Sequence, residues 1–353
     1  MTKKILVLVL SLCLLCGMLG ACGNQGDTDT TKETDVTMDK NHPSNDDTLS
    51  ILMVGNSFCY YYVEELYGLL MANPDPNRGY KDVQILNLYY SGATLTQHHN
   101  WWTTNTATYQ LFKTDANGRK EMEPSGQWAL ENALWQGKWD YISLQGTVKG
   151  GNYIEDETVQ LANSIMEKAG PILDRFHELH PYAQLLWHRT WPFEIGRISG
   201  TTVYDAEMLE KYNNGIQNVC DYICNELDKG KNYDLMMVNS GAAWVEARAQ
   251  DAKLETTLFP HGGLCARLGV SNAKTFEGAQ KGEKDAGDGY HDGDIGGGQF
   301  LNACVWYETI TGQSCLDNPY KPDLTNGKYA LSDDLVALLR NAAHTIVQND
   351  SAK

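Results

Sequence analysis

The chain has 353 residues with 28 basic and 45 acidic side chains, a net charge of −17, which argues against a nucleic-acid or anionic-membrane partner and favours a neutral or cationic one. Its length suits one large α/β domain or two small ones, and with no second linker and no internal repeat we read one. Of its nine cysteines, six fall after residue 48, too few for a disulfide scaffold in a domain of this size.

The N-terminus reads as an address. Lys3 and Lys4 precede a mostly apolar run from Ile5 to Leu19, too short for a comfortable membrane span and closed by small residues, as in a secretory signal. The segment Leu19-Gly20-Ala21-Cys22 resembles the lipobox of bacterial lipoproteins. The expectation is a signal peptide over 1–21 and a lipid-anchored Cys22, which places the protein on the outer face of a bacterial membrane. An ordinary cleaved signal with an incidental cysteine is the competing reading. Removal of the signal leaves 26 basic against 45 acidic residues, net −19.

Residues 23–48 are polar and rich in Thr and Asp, too poor in apolar surface to offset ordering entropy. As a random coil they would hold a domain over 49–353 about 28 Å from the membrane.

From there strand-like and helix-like runs alternate. "LSILMVG" (49–55), "VQILNLYY" (83–90), "YISLQG" (141–146), "AQLLWH" (183–188) and "DLMMVNS" (234–240) are short and apolar. Between them "YVEELYGLLMA", "ETVQLANSIMEKAGPILDRFHELH" and "AEMLEKYNNGIQNVCDYICNELDK" carry apolar residues at helical spacing. The alternation predicts a three-layer α/β/α fold around a five-stranded parallel sheet. Insertions interrupt it near 100–138, with a hairpin about Asn117-Gly118, and near 253–287. Six cysteines fall in the domain: Cys59, Cys220, Cys224, Cys265, Cys304 and Cys315. Cys220 and Cys224 lie one helical turn apart without a CxxC or His partner, so we read them as helix-face residues rather than metal ligands.

In such a sheet, ligands sit beyond the carboxyl ends of the strands. Ser57 follows the first strand, Gly92 the second and Gln145 ends the third, while Asp288 and His291 precede the helix-like "GGGQFLNACVWYETITG". Serine needs an imidazole to take its proton, and the imidazole needs a carboxylate on its other nitrogen. The D-x-x-H spacing of Asp288 and His291 allows that contact within one loop. Backbone N–H groups at Ser57 and Gly92 and the Gln145 amide could supply an oxyanion hole. Asp292 and Asp294 compete with Asp288 for the orienting role.

Other readings of these residues are plainer. Ser57 alone could be a helix cap. Asp288, Asp292 and Asp294 could be ligands of a calcium loop, though the closing glutamate of an EF-hand is missing. "HELH" (177–180) lacks zinc-protease spacing, and no G-x-S-x-G elbow surrounds Ser57. We assign no metal and no cofactor.

"GNSF" after the first strand, the glycine of "SGATL" after the second, and "DGYH" before the last of these helices resemble the ordered blocks of the SGNH (GDSL-like) hydrolase superfamily, and within it the DUF4886 family. The resemblance runs from about residue 50 to 312 and implies a flavodoxin-like fold. It implies Ser57 as nucleophile, Gly92 as oxyanion donor, His291 as base and Asp288 as its orienter. Two departures stand out: Asn56 replaces the usual Asp of the first block, and "LQGT" replaces the G-x-N-D of the third, with Gln145 as candidate for the missing asparagine's donor. "HHNWW" and "WHRTWPF" add His98, His99, Trp101 and Trp191 as candidate substrate contacts, against the commoner reading of buried aromatics. The expected activity is a serine esterase acting on O-acyl, and by its location O-acetyl, groups of a carbohydrate. The rival is a non-catalytic carbohydrate-binding lipoprotein. No nucleic acid is expected, and the membrane is met only through the lipid.

Overall fold

The computed structural model describes residues 47–146, 158–199, 202–231, 233–260, 263–267, 287–322 and 331–352. The expected signal peptide, Cys22 and nearly all of the linker lie outside them, as do residues 268–286 of the second insertion. Among the described residues no helix is long and apolar enough to cross a membrane.

All five expected strands form: β1 (Thr48–Gly55), β2 (Asp82–Tyr89), β5 (Tyr141–Gln145), β6 (Gln184–Arg189) and β9 (Met236–Asn239). They pair in parallel in the order β2-β1-β5-β6-β9, the flavodoxin-like arrangement. Among the described residues the sheet nevertheless has seven strands, not five. The expected hairpin, β3 (Gln110–Asp115) and β4 (Gly118–Glu121), pairs antiparallel along the free edge of β2. It docks there because Tyr109 and Leu111 are fully buried, so the insertion extends the core instead of standing apart. A separate two-stranded ribbon joins β7 (Ile198–Ser199) and β8 (Thr202–Val203).

The apolar runs of the parallel strands are continuous because both faces are covered. On β1, Ile51 and Met53 point into one core with α1 (Val63–Met71), α6 (Ser240–Asp251), α7 (Gly298–Thr311) and α8 (Asp333–Ser351). Leu52 and Val54 point into the other, with α3 (Leu130–Leu134), α4 (Thr158–Leu179) and α5 (Ala206–Tyr222). A further helix, α2 (Leu95–Thr103), is closed at its start by a capping box between Thr94 and Gln97. Strand order reverses beside β1, so the crevice expected of this topology opens beyond the ends of β1 and β5. Ser57 stands two residues past β1.

Candidate active site

The turn after β1 is built by Asn56. Its side-chain oxygen caps a short 3-10 turn by accepting from Phe58 N at 3.0 Å, and its Nδ2 donates to the Ala93 carbonyl at 2.7 Å. A carboxylate could not make the second bond, which accounts physically for Asn where the resembling superfamily has Asp. Tyr90 N adds a bond to Gly55 O at 3.2 Å, so the turn after β2 is pinned onto the turn carrying Ser57. Gly92 takes φ +68° there, a left-handed conformation open to glycine. Among the described residues, the backbone N–H groups of Ser57 and Gly92 meet no acceptor.

Exchanging Asn56 for Asp keeps the shape but sets an oxygen against the Ala93 carbonyl. We expect Asn56→Asp to lose about 1–3 kcal/mol of stability and to lower turnover with it, read by thermal unfolding and an ester assay; a variant as stable and active as the wild type would contradict this.

The imidazole of His291 arrives on a loop whose sequence folds it. In Asp288-Gly289-Tyr290-His291, one carboxylate oxygen of Asp288 accepts from the backbone N–H of Tyr290 at 3.0 Å and of His291 at 2.9 Å, a self-contained Asx turn. Gly289 permits it at φ +78°. The other oxygen meets His291 Nδ1 at 2.5 Å, and His291 Nε2 lies 2.8 Å from Ser57 Oγ. A carboxylate only accepts, so the neutral imidazole carries its proton on Nδ1 and offers Nε2 to the serine hydroxyl. Burial would raise the Asp288 pKa, but the hydrogen bond and charge of His291 and the two backbone donors hold it below the ordinary value.

The loop after β6 staples this turn from behind. Arg197 Nη1, Glu194 N and Trp191 Nε1 donate to the carbonyls of Asp288, Gly289 and Tyr290 at 2.9, 2.9 and 2.8 Å. Three donors three residues apart thus fix three consecutive carbonyls. Trp191 is 2 % exposed, stacked on Trp244 at 4.8 Å and tilted against Phe58 at 5.0 Å. It wedges between the neighbours of Ser57 and His291, so its expected contact with substrate is corrected to a packing role.

Of the other expected contacts, His98 is fully buried in α2, stacked on Tyr109 and 2.6 Å from its hydroxyl; burial lowers its pKa to about 4. It is a core histidine. Trp101 packs on Tyr90 and Tyr109 and His99 on Trp102; among the described residues neither has a ring contact or hydrogen bond with Ser57, Asp288 or His291. Gln145 is also fully buried, its Oε1 accepting from Asn56 N at 3.0 Å, which makes it a support of the Ser57 turn in place of the open oxyanion donor expected. The aromatic rings that do flank His291 are Tyr290, Tyr61 and Phe58, at centroid distances of 3.8, 5.5 and 5.8 Å.

Asp294 bonds to the backbone of Ile295 at 2.9 Å, and Asp292 turns away from the imidazole into the core, accepting from Asn302 Nδ2 at 3.3 Å. Burial pushes the Asp292 pKa up to about 7, against the charge of Arg267 and the Asn302 bond. A carboxyl that binds its proton more tightly folded than unfolded weakens the fold as pH rises from about 4 to 7. Asp292→Asn is therefore expected to raise Tm at pH 8, by an amount on the order of several degrees, and to change it little at pH 4. Equal shifts at both pH values would contradict it.

A cleft of about 340 Å³ opens elsewhere, beside edge strand β9, lined by Asp221, Met236, Asn239, Glu308 and Asp350 among others. It contains neither Ser57 nor His291.

A family model described as Domain of unknown function (DUF4886) matches residues 50–270, a span that includes Ser57, Gly92 and Gln145 and ends before Asp288. The chain belongs to the DUF4886 family. Another DUF4886 protein, from Bacteroides uniformis, has the same fold in its crystal structure, with a TM-score of 0.58, 23% identity, and coverage of 86% of this chain and 96% of that one. Weaker likenesses reach a proposed SGNH hydrolase from Slackia heliotrinireducens (TM-score 0.38, 17% identity, 75% and 100% coverage) and a family 3 carbohydrate esterase from Clostridium thermocellum (TM-score 0.37, 14% identity, 74% and 95% coverage). No curated protein matches the chain.

Proposed function

We propose that this protein is a serine esterase, exported and tethered by Cys22, that removes O-acetyl groups from carbohydrates. The observation that carries the reading is the hydrogen-bonded chain Ser57 Oγ, His291 Nε2, His291 Nδ1, Asp288 Oδ2 at 2.8 and 2.5 Å. In the reaction, Ser57 Oγ attacks the ester carbonyl while its proton passes to His291 Nε2, and Asp288 stabilises the imidazolium that results. The backbone N–H groups of Ser57 and Gly92 receive the developing oxyanion. His291 then gives its proton to the departing sugar hydroxyl, the acyl group remains on Ser57, and a water deprotonated by His291 releases acetate.

The acetyl and carbohydrate parts rest on the surface location expected from residues 1–22 and on Tyr61 and Tyr290, half-buried rings beside the imidazole that can stack on a sugar face. Acetate release from acetylated glycans, with acetyl preferred over long-chain acyl in a matched aryl ester series, is the expected result. Preference for long chains would refute the acetyl assignment, and no ester turnover the esterase.

A further inference from the structure

Arg267 packs on the Tyr61 ring, which itself contacts the imidazole of the relay. Its guanidinium carbon lies 4.1 Å from the centroid of that ring, and the ring meets the His291 imidazole edge-on at 5.5 Å. One aromatic ring thus contacts both a cation and the imidazole. Its position is fixed by backbone, since Gly293 N donates to Leu264 O at 2.9 Å and Gly296 N to Ala266 O at 3.2 Å, tying 263–267 to the loop that carries His291.

Most arginines of the described residues are spent. Arg119 and Arg248 end on the carboxylates of Glu64 and Glu194 at 3.3 and 2.8 Å, Arg175 ends on Glu131, and Arg78 and Arg340 donate to backbone carbonyls. Arg267 is half-buried and, among the described residues, has no carboxylate in an ion pair. Burial works against its charge, but Tyr61, Asp288 and Asp292 hold its pKa above the ordinary value, so it is a full cation. Asp288 already has His291, and Asp292 is deep in the core, so neither neutralises it by contact. The other arginine beside the relay, Arg197, is occupied by the Asp288 carbonyl at 2.9 Å, whereas among the described residues Arg267 has neither a carbonyl nor a carboxylate partner, in a chain of net charge −17.

Resting on the esterase reading above, we propose that the substrate carries a carboxylate within one sugar ring of the acylated oxygen, and that Arg267, with the Tyr61 hydroxyl, receives it. The class this describes is an O-acylated acidic sugar. A planar guanidinium suits a carboxylate because it presents two parallel donors, which an ammonium cannot. The acidic protein surface would slow arrival of such a substrate, so the local cation is what makes it acceptable.

The test uses the full chain with mono-O-acetylated methyl glucuronoside and its uronic methyl ester, which share the acyl group and ring and differ in one charge. We expect kcat/KM to favour the acid by about tenfold or more, corresponding to ~1.4 kcal/mol or more, with the preference weakening in high salt. In Arg267→Gln the acid-to-ester ratio is expected to fall below about threefold, the loss appearing in KM for the acid, and Arg267→Lys should recover part of it. A wild type without preference, or an Arg267→Gln variant that slows both substrates equally, overturns the proposal; the second result would reduce Arg267 to a counter-charge for Asp288 and Asp292. Turnover of neither compound or of any activated acetyl ester would instead remove the esterase reading, and this inference with it.

Discussion

Ser57→Ala is expected to lower kcat/KM on an acetyl ester by about 10⁴-fold or more while shifting Tm by less than about 4 °C. Among the described residues the serine side chain makes one hydrogen bond, to His291 at 2.8 Å, and its removal costs roughly 1 kcal/mol of stability. The turn around it is held by Asn56 and not by Ser57, so the fold has little to lose. The reaction loses the hydroxyl that the imidazole faces. Initial rates beside a melting curve decide it: activity within about tenfold of wild type would mean that Ser57 is only a residue of a helical turn.

Asp288→Asn is the second large effect. The amide can turn its nitrogen toward His291, and an N–H facing Nδ1 stabilises the tautomer whose proton sits on Nε2. That tautomer cannot accept from Ser57. We expect kcat to fall about 10²- to 10⁴-fold with a smaller change in KM. The same substitution alters acid stability. The folded pKa of Asp288 lies below the unfolded value near 3.8, so its carboxylate stabilises the fold above that pH and stops doing so as pH falls through the folded value. Asp288→Asn should thus lower Tm at pH 7 and narrow the difference from wild type at the acid end; kinetics and unfolding across pH 2–8 check both. An unchanged kcat would return the orienting role to another residue.

The parallel strands were legible because each is buried on both faces, which leaves an uninterrupted apolar run such as Ile51–Val54. The hairpin was legible too, from Asn117-Gly118, but its place was not: pairing of β3 with β2 depends on an edge that no local pattern describes, and this is why seven strands replace five. Asp288 and His291 were readable because four residues of chain contain the whole contact. The supports were not. Arg197 reaches the relay, and Arg267 the Tyr61 ring beside it, across long stretches of chain, and nothing in "EIGRI" or "CARLG" signals a partner. Trp191 and His98 show the converse. An aromatic near a predicted loop reads equally as a sugar platform or as core, and only the stacking on Trp244 and Tyr109 separates the two. For Trp191, spacing did hold a clue, since Trp191, Glu194 and Arg197 recur every third residue.

The central claim is that His291 activates Ser57. The most direct measurement is to treat the folded protein with a fluorophosphonate and locate the adduct by mass spectrometry, because only an activated serine reacts readily. The account predicts a single adduct on Ser57, absent in Ser57→Ala and strongly reduced in His291→Ala. No adduct in protein shown to be folded, or labelling of Ser57 that survives loss of His291, would contradict it and favour a carbohydrate-binding lipoprotein built on a hydrolase fold.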